Sequence, residues 1–390
     1  MIQKLRKLPL IVKVLIAIVL GILLGFVAPT VLMRVMNTVC SIFSQFLGFI
    51  VPLIIVGLVT PAISRVGKGA GKMLGITVLL AYTFTVLSGL FSYGFSSTLF
   101  PSMLKAGERT SLQAKGTDFA PYFTISFPPL MDVMTALVLA FMLGLGIAAL
   151  DAKALRKGFT EFEDIVTKTI SSIIIPLLPL FIFGLFLDMS ASGKVGPVLV
   201  AFAKVIAIIF VMTLVLLIAQ YSIAGIVAHR NPFKMLVKML PAYLTALGTS
   251  SSAATIPVTL RQAKEMGVRE DIAGFVIPLC ATVHLSGSML KITSCAIALM
   301  MLNGMPFDFM MIFGFILLLA VTMVAAPGVP GGAIMAAIGI LESSLGFDAS
   351  LQAMMITVYI AMDSFGTACN VTGDGSIAMI MSSIAPEKKE

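Results

Sequence analysis

The sequence predicts an all-α integral membrane protein of eight transmembrane helices plus two re-entrant helical hairpins, and three observations carry that prediction. Its 390 residues are 59% hydrophobic and only 11% charged, with a mean hydropathy of +1.08, which leaves too few polar residues to cover a soluble globule. Apolar runs of the roughly 20 residues that cross a hydrocarbon core as a helix fill most of the chain, without the alternation of a membrane barrel. Beyond about residue 240 these runs stop ending at charged loops and are broken instead by small and polar clusters.

In chain order, six ordinary spans are expected at 9–28, 38–64, 73–100, 122–150, 166–190 and 196–228, the fourth interrupted by Pro128 and Pro129. The first follows a basic start and looks like a secretory leader, yet it lacks an A-x-A cleavage site and is too long, so it reads as a membrane helix. Segment 151–168, with Lys153, Arg156, Lys157, Glu161, Glu163 and Asp164, is charged enough to lie along a membrane surface or in a loop. Residues 240–262, which hold TALGTSSSAATIPVTLR, are too short to cross twice and carry a polar tip from Thr249 to Ser252. Residues 310–342 hold two apolar arms around AAPGVPGG, where Pro327 and Pro330 forbid a continuous helix. Each hairpin is followed by a long apolar segment, 272–302 and 351–385. Non-helical backbone at membrane depth survives only inside protein or along a cavity, and two such hairpins beside broken helices are the plan of a secondary transporter.

The net charge of +8 is spread between the apolar segments, so it reads as a topology signal rather than a nucleic-acid footprint. With both termini cytoplasmic, the inner side receives the groups around Lys4, Arg65, Lys153, Arg230, Arg261 and Lys388, while only Arg34, Lys105, Arg109, Lys115 and Lys194 lie outside. Short loops and compact length suggest a multi-pass protein of a prokaryotic cytoplasmic (inner) membrane. Cys40, Cys280, Cys295 and Cys369 sit in apolar surroundings and imply neither disulfides nor a metal site.

Chemistry is expected in the last third. In AMDSFGTACNVTGDGSIAM, Asp363, Thr367, Asn370 and Asp374 are spaced 4, 3 and 4 and form one polar stripe on an apolar helix. An aspartate at the centre of a membrane helix costs about 2.5–3.5 kcal/mol, so the pair needs a cation, an ammonium or a wet cavity. CATVHLSGSMLK (280–291) places His284, Ser286, Gly287, Ser288 and Lys291 in an apolar run and reads as a local unwinding. Lys291 is too deep to snorkel with ease and is a counter-ion for Asp363 or Asp374; the sequence does not choose between them. The tip TSSSAAT offers hydroxyls and consecutive backbone N–H groups that suit a carboxylate.

These segments are similar to the dicarboxylate/amino acid:cation symporter family, which includes the glutamate transporters and the neutral amino acid exchangers. The resemblance rests on SSSAATIPVTLRQAKEMGV (250–268), PLCATVHLSGS (278–288), APGVPGGAIM (326–335) and DSFGTACNVTGD (363–374), in family order; residues 1–230 add a compatible helix count only. It implies an elevator-type homotrimer with no cofactor. Residues 1–230 would form the scaffold and trimer contacts, with helices 3 and 6 joining a transport core of residues 231–390. It also implies roles. Asp363 would bind the substrate ammonium beside Thr367. Asn370 and Ser250, Ser251 and Ser252 would hold the carboxylate, and Ser288, Val329, Gly331 and Gly366 would complete the pocket. The second hairpin, near Ala326 to Gly331, would be the outer gate. Sodium would use Asp374 with carbonyls near Cys280 and Asn370, and a second site carbonyls near Thr282, Met323, Val324 and Ala326. Tyr82 and Thr85 align loosely with a third.

Departures from the family pattern set the expected substrate. Members that carry acidic solutes have an arginine three residues after the ammonium-binding aspartate, where this chain has Gly366. Without a guanidinium a second carboxylate has no partner, so a small neutral amino acid such as serine, threonine, alanine or cysteine is expected, and Gly366→Arg would shift preference toward acidic ones. The alternative is an acidic amino acid or dicarboxylate carrier, proton- or sodium-coupled, in which Lys291 replaces that arginine. The family's NMDGT-type stretch reads HLSGS here and Val86 stands where a hydroxyl is expected, so one or two sodium ions are expected, with His284, Ser286 and Lys291 as the coupling alternatives and a proton as the other ion. Two aspartates eleven residues apart on one helix lie about 16 Å apart, too far for a protease dyad. A channel would also use re-entrant loops, but an ammonium-type aspartate beside a carboxylate-type tip suits an occluded solute better.

Overall fold

The computed structural model describes residues 10–66, 72–104, 119–193, 195–324, 326 and 330–385. Among them every regular element is a helix: α1 Leu10–Gly25, α2 Thr30–Val66, α3 Lys72–Met103, α4 Val133–Leu150, α5 Lys153–Thr169, α6 Ile175–Ala191, α7 Val195–Ala228, α8 Pro232–Lys238, α9 Leu240–Thr249, α10 Ser252–Met266, α11 Glu270–Val283, α12 Ser286–Leu302, α13 Phe309–Val324, α14 Gly332–Leu345, α15 Ala349–Ala361 and α16 Asp363–Ile384. Five stretches, Thr30–Ser64, Met73–Met103, Lys153–Ala191, Val198–Ala228 and Glu270–Leu302, are long and apolar enough to cross a membrane, and shorter apolar helices accompany them. This is a multi-pass membrane protein.

Three segments differ from the expectation. Residues 119–132 are not part of the fourth span: they are non-helical, and α4 starts at Val133 where Asp132 caps the Thr135 N–H at 2.9 Å. The charged segment 151–168 is not a loop; α5 runs through a π-turn at Ile170–Ile174 straight into α6. The last apolar segment is two helices, because the chain breaks at Met362, and Asp363 therefore begins a helix instead of sitting inside one.

Two bodies of helices follow from the packing. In the first, α1 lies along α6, and α2 along α4, α5 and α6. A glycine pair four residues apart, Gly21 and Gly25, lets α1 approach closely: a Cβ at Gly21 would stand 2.7 Å from the Phe183 carbonyl oxygen, and one at Gly25 2.6 Å from that of Leu187. Ser190 Oγ donates to the Ile22 carbonyl at 3.0 Å across the same seam. Gly21→Leu is expected to destabilise the fold by about 1–3 kcal/mol through overpacking, seen as a lower melting temperature in detergent; Gly75→Leu, where an added Cβ meets nothing, is the control expected to leave it unchanged.

In the second body α11, α12 and α16 form the centre, wrapped by α9 and α10, with α3 and α7 packed against them from the N-terminal part of the chain. The α11–α12 stretch is 94% buried over its most apolar window, against 33% for α3. The seam between α3 and α12 is polar rather than apolar. Ser88, Ser92 and Ser96 recur every turn on α3; Ser88 Oγ donates to the Ser286 carbonyl at 2.6 Å, Ser92 Oγ to that of Leu290 at 2.9 Å, and Ser96 Oγ to Ser294 Oγ at 3.0 Å. At Gly89, between Ser88 and Ser92, an added Cβ would stand 2.7 Å from Ile316 Cγ2 and 3.1 Å from Met289 Sδ, so a larger residue there requires these side chains to shift. Small residues and interhelical hydroxyl bonds replace the hydrophobic drive that lipid cannot supply.

Candidate functional site

The polar residues of the last third converge where α12 and α16 cross. α11 ends at Val283 and α12 resumes at Ser286, leaving His284 extended and Leu285 non-helical between them, as the HLSGS composition predicts. The break exposes the first N–H groups of α12. Asn370 Oδ1 satisfies two of them, accepting from Gly287 N at 2.7 Å and Ser288 N at 3.3 Å, while its Nδ2 donates to Ser288 Oγ at 3.1 Å. Tyr359 Oη donates to the same hydroxyl at 3.0 Å. The crossing depends on Gly287, where a Cβ would stand 2.6 Å from both the Gly366 carbonyl oxygen and Cys369 Cβ.

Asp363 sits under the end of the second hairpin. Gly331, at φ +75, donates its N–H to Asp363 Oδ2 at 2.8 Å. The other oxygen faces Lys291, with Oδ1 and Nζ 3.8 Å apart and side-chain exposures of 11% and 1%. The lysine head also donates to the Met362 carbonyl at 3.1 Å and lies 3.9 Å above the Tyr359 ring, a cation–π arrangement. That carbonyl also accepts from Phe365 N at 3.1 Å and Gly366 N at 3.2 Å in the first turn of α16. Of the two candidate partners, Lys291 therefore takes Asp363. Its ammonium also fills the space over Gly366, where an added Cβ would collide with Cε and Nζ. Gly366→Arg alone is thus no simple restoration of a guanidinium.

Asp374 has a different partner. His284 Nδ1 and Asp374 Oδ1 are 2.9 Å apart with both side chains buried. Beside them Gln220 Oε1 and Nε2 and His284 Nε2 are buried without a hydrogen-bond partner, and Tyr221 Oη donates to the Thr372 carbonyl at 2.7 Å. Unsatisfied polar atoms at this depth are costly, and a group of them beside a carboxylate marks a place that takes up something polar.

The first hairpin tip approaches from the other side. Ser250 is left-handed at φ 49, Ser251 caps α10 by accepting the Ala254 N–H at 3.3 Å, and Ser252 is buried. Ser250 Oγ and Ser364 Oγ are 2.7 Å apart, which ties the tip to the start of α16. A cavity of ≈ 100 Å³ lies among Gly248, Thr249, Ser250, Pro330, Ile360, Asp363 and Ser364, with Leu10 at its edge. That is a few water volumes, well below the 300–1,000 Å³ of drug-sized pockets.

Most of the expected residues therefore meet: Ser250, Ser288, Gly331, Asp363, Gly366 and Asn370 share this region, and Thr367 Oγ1 donates to the Asp363 carbonyl at 3.0 Å. Val329, Pro327 and Gly328 lie outside the described residues. Cys280 offers a carbonyl already accepting from His284 N at 2.9 Å. Thr282 has an exposed side chain whose hydroxyl donates to the Leu279 carbonyl at 2.9 Å. Met323 and Ala326 are buried at the end of α13, and Val324 packs on the apolar cluster that holds Cys280 and Val283. Thr85 is buried with its hydroxyl on the Ala81 carbonyl at 2.8 Å, and Tyr82 is half-buried. Sequence reasoning missed Ser364, Tyr359 and Gln220; the last is a lone amide in an apolar span, which is a usable signal.

Known proteins point the same way. Residues 10–384 match the sodium:dicarboxylate symporter family. The chain is similar to the serine/threonine transporter SstT of Acinetobacter baumannii strain SDF, 29% identical over 389 residues with 96% of each chain covered. It is also similar to the serine/threonine transporter SstT of Streptococcus thermophilus strain CNRZ 1066, 25% identical over 390 residues with 97% of this chain and 96% of the relative covered.

Proposed function

This chain belongs to the sodium:dicarboxylate symporter family, and from that premise we propose that it is a secondary carrier that moves a small neutral amino acid, serine or threonine first, together with sodium. The observation that carries this reading is Asp363. It is a buried carboxylate beside a cavity of ≈ 100 Å³, with glycine instead of arginine at position 366. The carboxylate attracts the ammonium of an amino acid and repels a dicarboxylate, while the cavity offers no free guanidinium for a second acid group. The names of the relatives, serine/threonine transporters, favour the same solutes.

In this reading the polar tip at Ser250, Ser251 and Ser252 meets the substrate carboxylate, and Asn370 shares its amide between the solute and the N-terminus of α12. The end of the second hairpin, which hydrogen-bonds Asp363 through Gly331, is the gate. Asp374, with the unpartnered groups around it, takes the coupling ion. Sodium is favoured over a proton by the family's description. Eight spans and two re-entrant hairpins, a scaffold made mainly of α1, α2 and α4–α6, a moving core joined by α3 and α7, a homotrimeric elevator and cytoplasmic termini in an inner membrane complete the proposal; the packing of α3 against α12 and of α7 against α16 supports that division.

The test is uptake of radiolabelled serine into liposomes under an inward sodium gradient, compared with choline at fixed pH. Uptake is expected to require sodium. Equal uptake in choline would reject sodium coupling, and no uptake in either would reject the substrate.

A further inference from the structure

We propose that Lys291 is a tethered counter-ion that keeps the Asp363 site electrically balanced when no solute is bound, so that the empty protein returns across the membrane and net transport accompanies exchange. The inference rests on reading Asp363 as the ammonium site.

A buried aspartate without a cation is a charge that a low-dielectric path resists. If Asp363 stood alone, its carboxylate would be paired by the solute's ammonium in the loaded state and by nothing in the empty one, so the empty protein would carry an unpaired buried charge and would be confined to swapping one solute for another. Here the cation is built in. Lys291 Nζ is 3.8 Å from Asp363 Oδ1, anchored by the Met362 carbonyl at 3.1 Å and the Tyr359 ring at 3.9 Å. Gly366 is the residue that makes room for it, since any Cβ there would collide with the lysine head.

Lys291 does not line the cavity that Asp363 shares with Ser250 and Ser364. The lysine reaches the carboxylate from inside the helix crossing, and the solute reaches it from the cavity. The two cations therefore need not displace one another. The Lys291–Asp363 pair carries no net charge, and a zwitterionic amino acid adds none. The net charge at this site is therefore the same loaded or empty, and what Lys291 changes is that the carboxylate keeps a cation beside it in the empty state, so the solute contributes binding energy and is not the sole counter-ion.

The experiment uses the full chain in liposomes loaded with radiolabelled serine, with equal sodium on both sides. Net efflux into serine-free medium is compared with exchange against external serine. The wild type is expected to show both. Lys291→Met keeps the length of the side chain and removes its charge; the ratio of net efflux to exchange is expected to fall about a hundredfold, as for breaking a buried ion pair. A wild type without net efflux, an unchanged ratio in Lys291→Met, or loss of both modes together in a variant that melts like wild type overturns the proposal. Lys291→Arg guards against a variant that does not fold: with a cation kept, net efflux is expected to persist, and its loss with exchange retained overturns the proposal too. Asp363→Asn is the separate arm, since unchanged serine binding there removes the ammonium reading itself whatever the ratio in Lys291→Met.

Discussion

Asp363→Asn is expected to weaken serine binding by roughly thirtyfold to several thousandfold, corresponding to about 2–5 kcal/mol for truncating one partner of a desolvated charged contact. Asparagine keeps the shape and can still accept the Gly331 N–H that Asp363 receives at 2.8 Å, so the hairpin contact is not what the substitution removes. What goes is the charge that faces both the cavity and Lys291. Because the change also leaves the lysine uncompensated, the measurement is a double-mutant cycle with Lys291→Met, reading serine affinity by calorimetry and melting temperature in parallel. The double variant is expected to recover the melting temperature lost in Asp363→Asn and not the affinity. Serine bound with wild-type affinity by Asp363→Asn would refute the ammonium assignment; affinity restored in the double variant would mean that Asp363 acts only through the lysine.

The second large effect concerns position 366. Gly366→Arg alone is expected to abolish transport, because the new side chain starts where the Lys291 ammonium lies and overpacking at a helix crossing has nowhere to relax. Combined with Lys291→Ala, which empties that space, the arginine gains room beside Asp363 and can pair with a second carboxylate in a forked geometry. Glutamate is then expected to inhibit serine uptake about ten- to a hundredfold more strongly than in the wild type, the range of one hydrogen bond to a charged group. Wild-type serine transport by the single variant would disprove the collision. A double variant that transports serine but ignores glutamate would disprove the role given to the missing guanidinium.

The site was legible to the extent that its residues announce themselves against an apolar background. His284 to Ser288 revealed the break between α11 and α12, because glycine and serine in an apolar run weaken a helix from within. Asp363, Asn370 and Asp374 stood out because each is expensive at membrane depth. The break at Met362 was not visible. The local sequence AMDS contains neither proline nor glycine, and the contacts made at the interruption are distant in sequence: Gly331 holds the aspartate and Lys291 adds a bond to the Met362 carbonyl. The same limit explains why the partner of Lys291 stayed open, since Asp363 and Asp374 lie on one helix and only the crossing angle of α12 separates them. Asn370 was read as a ligand of the solute, whereas its amide also caps a helix from another element, a role that spacing along one chain does not encode. The serine ladder of α3 was present as a four-residue period, yet a period names no partner.

The close seam between α1 and α6 also sets an order of events during synthesis. Gly21 and Gly25 leave the ribosome long before Phe183, Leu187 and Ser190, and at about 5–20 residues per second the delay is on the order of ten to thirty seconds. Through that interval α1 sits in the bilayer without its partner, with two bare glycine notches turned to lipid. Beyond Lys13 in its first turns, its remaining surface is leucine, isoleucine, valine and alanine, which lipid solvates readily. When α6 arrives, Ser190 closes on the Ile22 carbonyl and completes the seam. Helix α1 is thus made well before α6 and is locked against it only once α6 has followed.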